Sequence, residues 1–145
     1  MVGKSDVFET DILELIFQNV DAPNIGDAAG LQNSLAAGVF TIALHTADPL
    51  DAGTQATSEA AYTGYARESV ARSTAGWTIT GDTIDNAALI TFTISTSGPE
   101  TETHVSIGGG FTNNMLYSGA LDTSLVVNSG ITPQFNIGAL NVTED

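Results

Sequence analysis

An antiparallel β-sandwich preceded by one short helix is the fold class that the amino-acid sequence predicts, and three observations predict it. From about residue 38 onward, apolar and polar residues alternate with period two, the mark of half-buried strands. Turn residues, among them Asp48-Pro49, Gly81-Asp82 and Gly98-Pro99, punctuate that alternation about every 8–12 positions, a spacing typical of sandwiches. The chain also contains 19 Thr among its 145 residues, and threonine suits a pleated, half-buried surface. A helical period is found only at the start, and no long helix separates the strands, which excludes a parallel α/β sheet.

The helix is expected within residues 6–19. Asp6 is placed to cap it, Glu9 completes a capping-box pattern, and Phe8, Ile12, Leu15 and Ile16 form its apolar stripe. Pro23 and the segment from Gly26 to Gly30 end it. The sandwich is expected over about residues 38–143. Phe40, Ile42 and Leu44 share one strand face, with Thr41, Ala43 and His45 on the other. Further strands are expected over Tyr65–Ala71, Trp77–Thr80, near Ile84, over Thr103–Ile107, Met115–Ala120, Ser124–Val127, Gln134–Ile137 and Leu140–Thr143. Ala88, Ile90, Phe92 and Ile94 make the cleanest inward face in the chain. One domain over 1–145 follows from the length and from the lack of repeats, low-complexity tracts or linkers between strands.

Charge narrows the function. Seventeen acids face three bases, Lys4, Arg67 and Arg72, for a net charge of −14. Nucleic-acid binding needs Lys and Arg clusters, and anionic lipid needs polybasic segments, so neither partner is expected. Such a surface suits a salty medium or a cation-rich partner. The chain has no Cys, which removes disulfides, thiolate metal sites and cysteine nucleophiles. No apolar run resembles a signal peptide or a membrane span, so synthesis in a cytoplasm is expected.

The chemical candidates reduce to structural roles. His45 could meet Asp48, yet no activated serine or second histidine accompanies them, and a strand-end polar residue beside an Asx-type turn is the better account. His104, on the polar face of its strand, reads the same way. The pairs Asp48/Asp51 and Asp82/Asp85 lack calcium-loop spacing, and Gly108-Gly109-Gly110 lacks the Lys and helix of a phosphate loop, reading instead as a bulge or hairpin tip. No catalytic residue, metal or cofactor is expected. Arg67 and Arg72 are assigned to one strand, five residues apart on opposite faces, so one of them points to the core or a covered edge, where it could pair with a carboxylate of this or another subunit, the alternative being an ordinary exposed arginine. Trp77 is a core residue, or failing that an interface anchor.

Several segments, read in order, resemble a known family. They are Leu44-His45-Thr46-Ala47-Asp48-Pro49, Asp51-Ala52-Gly53, Tyr62-Thr63-Gly64-Tyr65-Ala66-Arg67, Gly76-Trp77, Ile90-Thr91-Phe92, Thr103-His104 and Leu116-Tyr117-Ser118-Gly119-Ala120-Leu121, with Lys4-Ser5-Asp6 at the start. Together they are similar to a group of small tailed-bacteriophage virion proteins, many labelled tail fibre and some resembling head decoration, or cement, proteins. Nearly the whole chain is covered, and the HTADP turn with the GYAR strand is the specific part. The resemblance implies a jelly-roll-like sandwich, no catalytic residues, and a non-enzymatic cement protein on the outer capsid surface that bridges major capsid subunits. It also implies a homo-oligomer, a dimer before a trimer. The alternative is a tail-associated fibre or adhesion module that binds host-surface glycan. Lys4, Phe8, Ile12, Arg67, Arg72 and Trp77 are the interface candidates. Thr41, Glu102 and the acidic surface depart from the family's pattern and leave open what the outer face meets.

Overall fold

Short antiparallel sheets dominate the computed structural model, which describes residues 3–109 and 113–144. The predicted class, an all-β protein of the sandwich kind with a short N-terminal helix, is the one the chain adopts. The chain divides into two compact units. One is drawn from the segments up to Gly38, Ala71–Leu89 and from Phe135 onward; the other comprises Val39–Val70 and Ile90–Gln134.

In the first unit, helix α1 spans Asp6–Leu13 and runs into a single π-helical turn, Glu14–Gln18. The N-cap is Ser5, with extended backbone, rather than the expected Asp6. The Ser5 carbonyl accepts the Glu9 N–H at 3.0 Å, and Asp6 and Glu9 fall in the first turn, where acids complement the dipole. The buried residues are Leu13 and Phe17, not the expected stripe. Phe8 is exposed, while Ile12, Leu15 and Ile16 are half-buried. The wider π turn alters the period of the helix and carries Phe17 onto the Trp77 ring, edge to face at 5.0 Å.

That tryptophan opens strand β3, Trp77–Thr80. A two-residue Gly81-Asp82 turn leads into β4, Thr83–Asn86, and β4 pairs in turn with β9, Asn141–Thr143. Buried Asn86 holds the returning chain, donating to the carbonyls of Ala88 and Asn136 and accepting from the Leu140 N–H.

The second unit is built on a four-stranded sheet. Its strands are β1 (Val39–His45), β2 (Glu68–Ala71), β6 (Glu100–Gly109) and β7 (Met115–Val127), in the spatial order β2-β1-β6-β7. Strands β5 (Ile90–Thr91) and β8 (Gln134–Phe135) form a separate pair. The β1–β6 register sets Leu44 against Val105 and Ile42 against Ile107, which places the apolar alternation of both strands on one face.

Three strand expectations are corrected. Tyr65–Arg67 lies outside β2, because Tyr65 and Arg67 hold a loop rather than extend the ladder. Of the segment Ala88–Ile94, Ile90 and Phe92 are buried, but Ala88 and Ile94 are exposed once β5 ends at Thr91. The two strands expected at Met115–Ala120 and Ser124–Val127 are one strand whose register against β6 breaks twice, once at Leu116 and again after Ala120. Glu102 pairs with Leu125 and His104 with Ala120, so residues 121–124 stand opposite Thr103 alone.

Candidate functional site

The specific sequence signature converges on one buried polar cluster in the second unit. Strand β1 is covered on both faces from Ile42 to His45, unlike an ordinary half-exposed strand. Residues 54–67 provide the second cover. Ala60 donates its N–H to the Leu44 carbonyl and Thr46 to the Ser58 carbonyl, so the loop follows the end of the strand. Gly53 permits the preceding turn: a Cβ there would stand 2.0 Å from the Pro49 carbonyl oxygen. Asp48 accepts the Leu50 N–H at 2.9 Å, the Asx turn that the sequence predicts.

His45 is fully buried, not a strand-end surface residue, and both its ring nitrogens are taken by groups other than Asp48. Its Nδ1 donates to the Thr57 carbonyl at 2.9 Å, which makes Nε2 an acceptor for the Ser106 hydroxyl at 2.7 Å. Burial lowers the imidazole's pKa below the ordinary value and keeps the ring neutral. Gln55, also fully buried, donates to the Thr41 carbonyl and the Ser106 Oγ, and its Oε1 accepts the Thr41 hydroxyl at 2.6 Å. Gly108 makes room for it: a Cβ at that position would lie 2.1 Å from Gln55 Oε1.

Arg67 closes the cluster. Its Nε and Nη2 grip the two oxygens of Glu59 at 2.6 and 2.7 Å, and Nη2 also reaches Asn113 Oδ1 at 2.8 Å. This fork is the bidentate geometry that only arginine supplies, and the hydrogen bonds to Glu59 raise its pKa further. The Tyr65 hydroxyl donates to Glu59 and accepts the Leu44 N–H, while its ring stacks on Phe92. The carboxylate partner expected for one arginine is thus Glu59, within the same chain.

Glu102 differs from these satisfied groups. It is fully buried, and neither carboxylate oxygen has a donor. Burial first, and the adjacent Glu100 second, push its pKa up to about 8, so near neutrality it is a protonated acid. Glu100 is held in place by the N–H groups of Ala61 and Tyr62 at 2.8 and 2.9 Å. Neither Thr41 nor Glu102 belongs to an outer face: the first bonds Gln55 and the second is enclosed.

A groove of about 570 Å³, open to solvent, lies elsewhere on the same unit. Asp48, Leu50, Asp51 and Ala52 line one side, and His104 of β6 with Ser118, Gly119 and Ala120 of β7 line the rest. The side chain of His104 bonds the Thr103 hydroxyl at 2.9 Å.

The other marked residues lie in the first unit. Trp77 is fully buried, as its core assignment requires. Arg72, just beyond β2, donates to the carbonyls of Leu15 and Ile16, to Asn19 Oδ1 at 2.7 Å and to Ser34 Oγ at 3.1 Å, capping the π turn. Lys4 pairs with Glu144 at 3.0 Å. On α1, Phe8 is exposed and Ile12 half-buried. Sequence reasoning passed over Gln55, Glu59 and Ser106, whose roles have no local pattern. The one available signal was an acid eight residues before the scarce Arg67.

Together, antiparallel sheets and a signature built into their frame define the class, a structural protein of the β-sandwich kind. Residues 3–143 match the family described as Podophage GP4 fiber I protein gp80, and the chain belongs to that family. It is a bacteriophage virion protein of a family labelled as fibre. Comparison with the curated proteins finds no match.

Proposed function

We propose that the chain is a non-enzymatic decoration protein that binds the outer surface of the assembled phage head and bridges major capsid subunits. The observation that carries this reading is the fate of the aromatic rings. Among the described aromatic residues Trp77, Phe17, Phe40, Phe92 and Tyr62 are buried, Tyr65, Tyr117 and Phe135 are half-buried and Phe8 alone is exposed, whereas a glycan-binding fibre tip needs several exposed ring platforms. An enzymatic role finds no support in the His45–Ser106 pair, which is closed to solvent and engaged with Thr57 and Gln55. Binding only the assembled lattice would stabilise it by mass action, over many equivalent sites. The acidic surface, with all three cations engaged within the chain, complements a basic capsid patch. A symmetric dimer, or else a trimer, is the expected form, with the exposed Phe8 and the half-buried Ile12 on the helix available to it.

The family's own description as a fibre protein favours a second reading, a tail-associated module that binds host-surface glycan. Densitometry of purified virions against the major capsid band separates the two. A ratio near one copy per one or two capsid subunits supports decoration, whereas a handful of copies per particle places the protein in the tail.

A further inference from the structure

In the buried cluster, the Ser106 hydroxyl differs from its neighbours in meeting a base. Its Oγ donates to His45 Nε2 at 2.7 Å, and the bond from Nδ1 to the Thr57 carbonyl holds the ring in that tautomer. A nucleophile, a base and a group that orients the base are thus in contact, the arrangement that activates a serine. Burial lowers the pKa of His45, so the imidazole is neutral and able to take a proton. Ser106, His45 and Gln55 are all buried, so no outside substrate reaches them. The acyl group that does reach them is the side chain of Gln55.

Gln55 Nε2 stands 3.3 Å from Ser106 Oγ, and its carboxamide is packed on Gly108, where a Cβ would lie 2.3 Å from Cδ. The opposite atom, Oε1, already accepts the Thr41 hydroxyl at 2.6 Å and, more distantly, Arg67 Nη1 at 3.4 Å. Donors on that oxygen polarise the carbonyl and stabilise the oxyanion that attack on its carbon creates.

We propose that Ser106 and Gln55 react with each other, losing ammonia, to form an ester cross-link between β6 and the loop over β1. The carboxamide turns about its Cγ–Cδ bond to present its face, and Ser106 Oγ bonds to Cδ while His45 Nε2 takes the hydroxyl proton. The Cδ–Nε2 bond then breaks, and His45 passes the same proton to the leaving nitrogen. Each ester formed releases one ammonia, and no oxidant or other co-reactant is needed. Protonation of ammonia in bulk water draws the exchange forward, and exclusion of water from the cluster protects the ester from hydrolysis. The bond ties positions 51 residues apart and so restricts the unfolded chain. It is one reaction per chain rather than turnover, and it is independent of whether the protein sits on head or tail.

The test is intact mass and tryptic mapping of the full-length protein, denatured after prolonged incubation. The mass should be one ammonia below that of the sequence. Trypsin cleaves after Lys4, Arg67 and Arg72, which puts Gln55 in peptide 5–67 and Ser106 in peptide 73–145. The two peptides should stay joined, and hydroxylamine, which cleaves esters, should separate them. Ser106→Ala should keep the full mass, and His45→Gln should form the link at least about a hundredfold more slowly. The unmodified mass in the wild-type protein would overturn the proposal even where a variant fails to fold. So would loss of ammonia with the two peptides separate, as an ester from Thr41 to Gln55 would give. A link that resists hydroxylamine, or one that persists in Ser106→Ala or forms undiminished in His45→Gln, would overturn it too.

Discussion

Arg67 and Arg72 show at the residue scale why so few cations suffice. Each is placed where one guanidinium satisfies several acceptors at once, the carboxylate of Glu59 in one case and the helix-end carbonyls in the other. Arg67→Ala should cost about 2–4 kcal/mol, because a mostly buried carboxylate loses its partner. Arg67→Lys should recover only part of this, since an ammonium cannot form the fork. Urea midpoints at constant m check both. His45 and Glu102 predict opposing pH effects. Burial lowers the folded pKa of His45 below its unfolded value, so this contribution is complete above about pH 6.5 and is lost as pH falls through the lower folded value. Glu102, raised from 4.5 to about 8, contributes most below pH 4.5, and stability falls as pH rises toward 8. The Glu102 slope approaches about 1.4 kcal/mol per pH unit. Glu102→Gln keeps a donor toward Glu100 and should flatten that slope, as urea midpoints at pH 5, 7 and 9 would show. An unchanged slope would assign the dependence to another group.

Among the elements, the helix and its π turn depend on packing more than on propensity. An eight-residue helix is too short to persist alone, so Phe17 against Trp77 and the Arg72 cap carry it. Phe17→Ala should cost about 3–5 kcal/mol by opening a cavity beside Trp77, with a shift in the single tryptophan's fluorescence. Arg72→Ala should act more locally. Hydrogen exchange should quicken at Leu13–Gln18 and leave β1 and β6 protected, the pattern of a frayed element rather than global opening. Loss of protection throughout the chain would show that the cap supports far more than its helix.

At the scale of the whole molecule, charge sets the response to solvent. With a net charge of −14 and most acids outside any ion pair among the described residues, self-repulsion should ease as salt screens it. The melting temperature should therefore rise between about 20 and 500 mM NaCl, over which the screening length falls from roughly 20 Å to roughly 4 Å. A flat response would mean that the carboxylates already lie too far apart to interact. Arg67→Ala should blunt none of this rise, because its pair with Glu59 is partly buried and less screened than exposed charges, and the substitution adds to the net negative charge.

The fold class was legible because alternation and turn chemistry are local. Strand β3 falls where expected, β1 begins and ends at its periodic run, and the helix starts within a residue of its predicted cap. The family, too, was legible in the HTADP and GYAR segments. Periodicity could not show that the polar face of β1 is covered. The loop over it contains few large apolar residues, and it is held instead by hydrogen bonds from Gln55, Glu59 and Arg67. Nor could it show that Glu102, a carboxylate that alternation assigns to water, is enclosed. By itself the sequence determined the strands, the turns and the balance of charge, since these depend on neighbours within a few residues. Only the tertiary structure decided which polar groups are buried and which strands share a sheet, because desolvation and strand pairing depend on segments far apart in the chain.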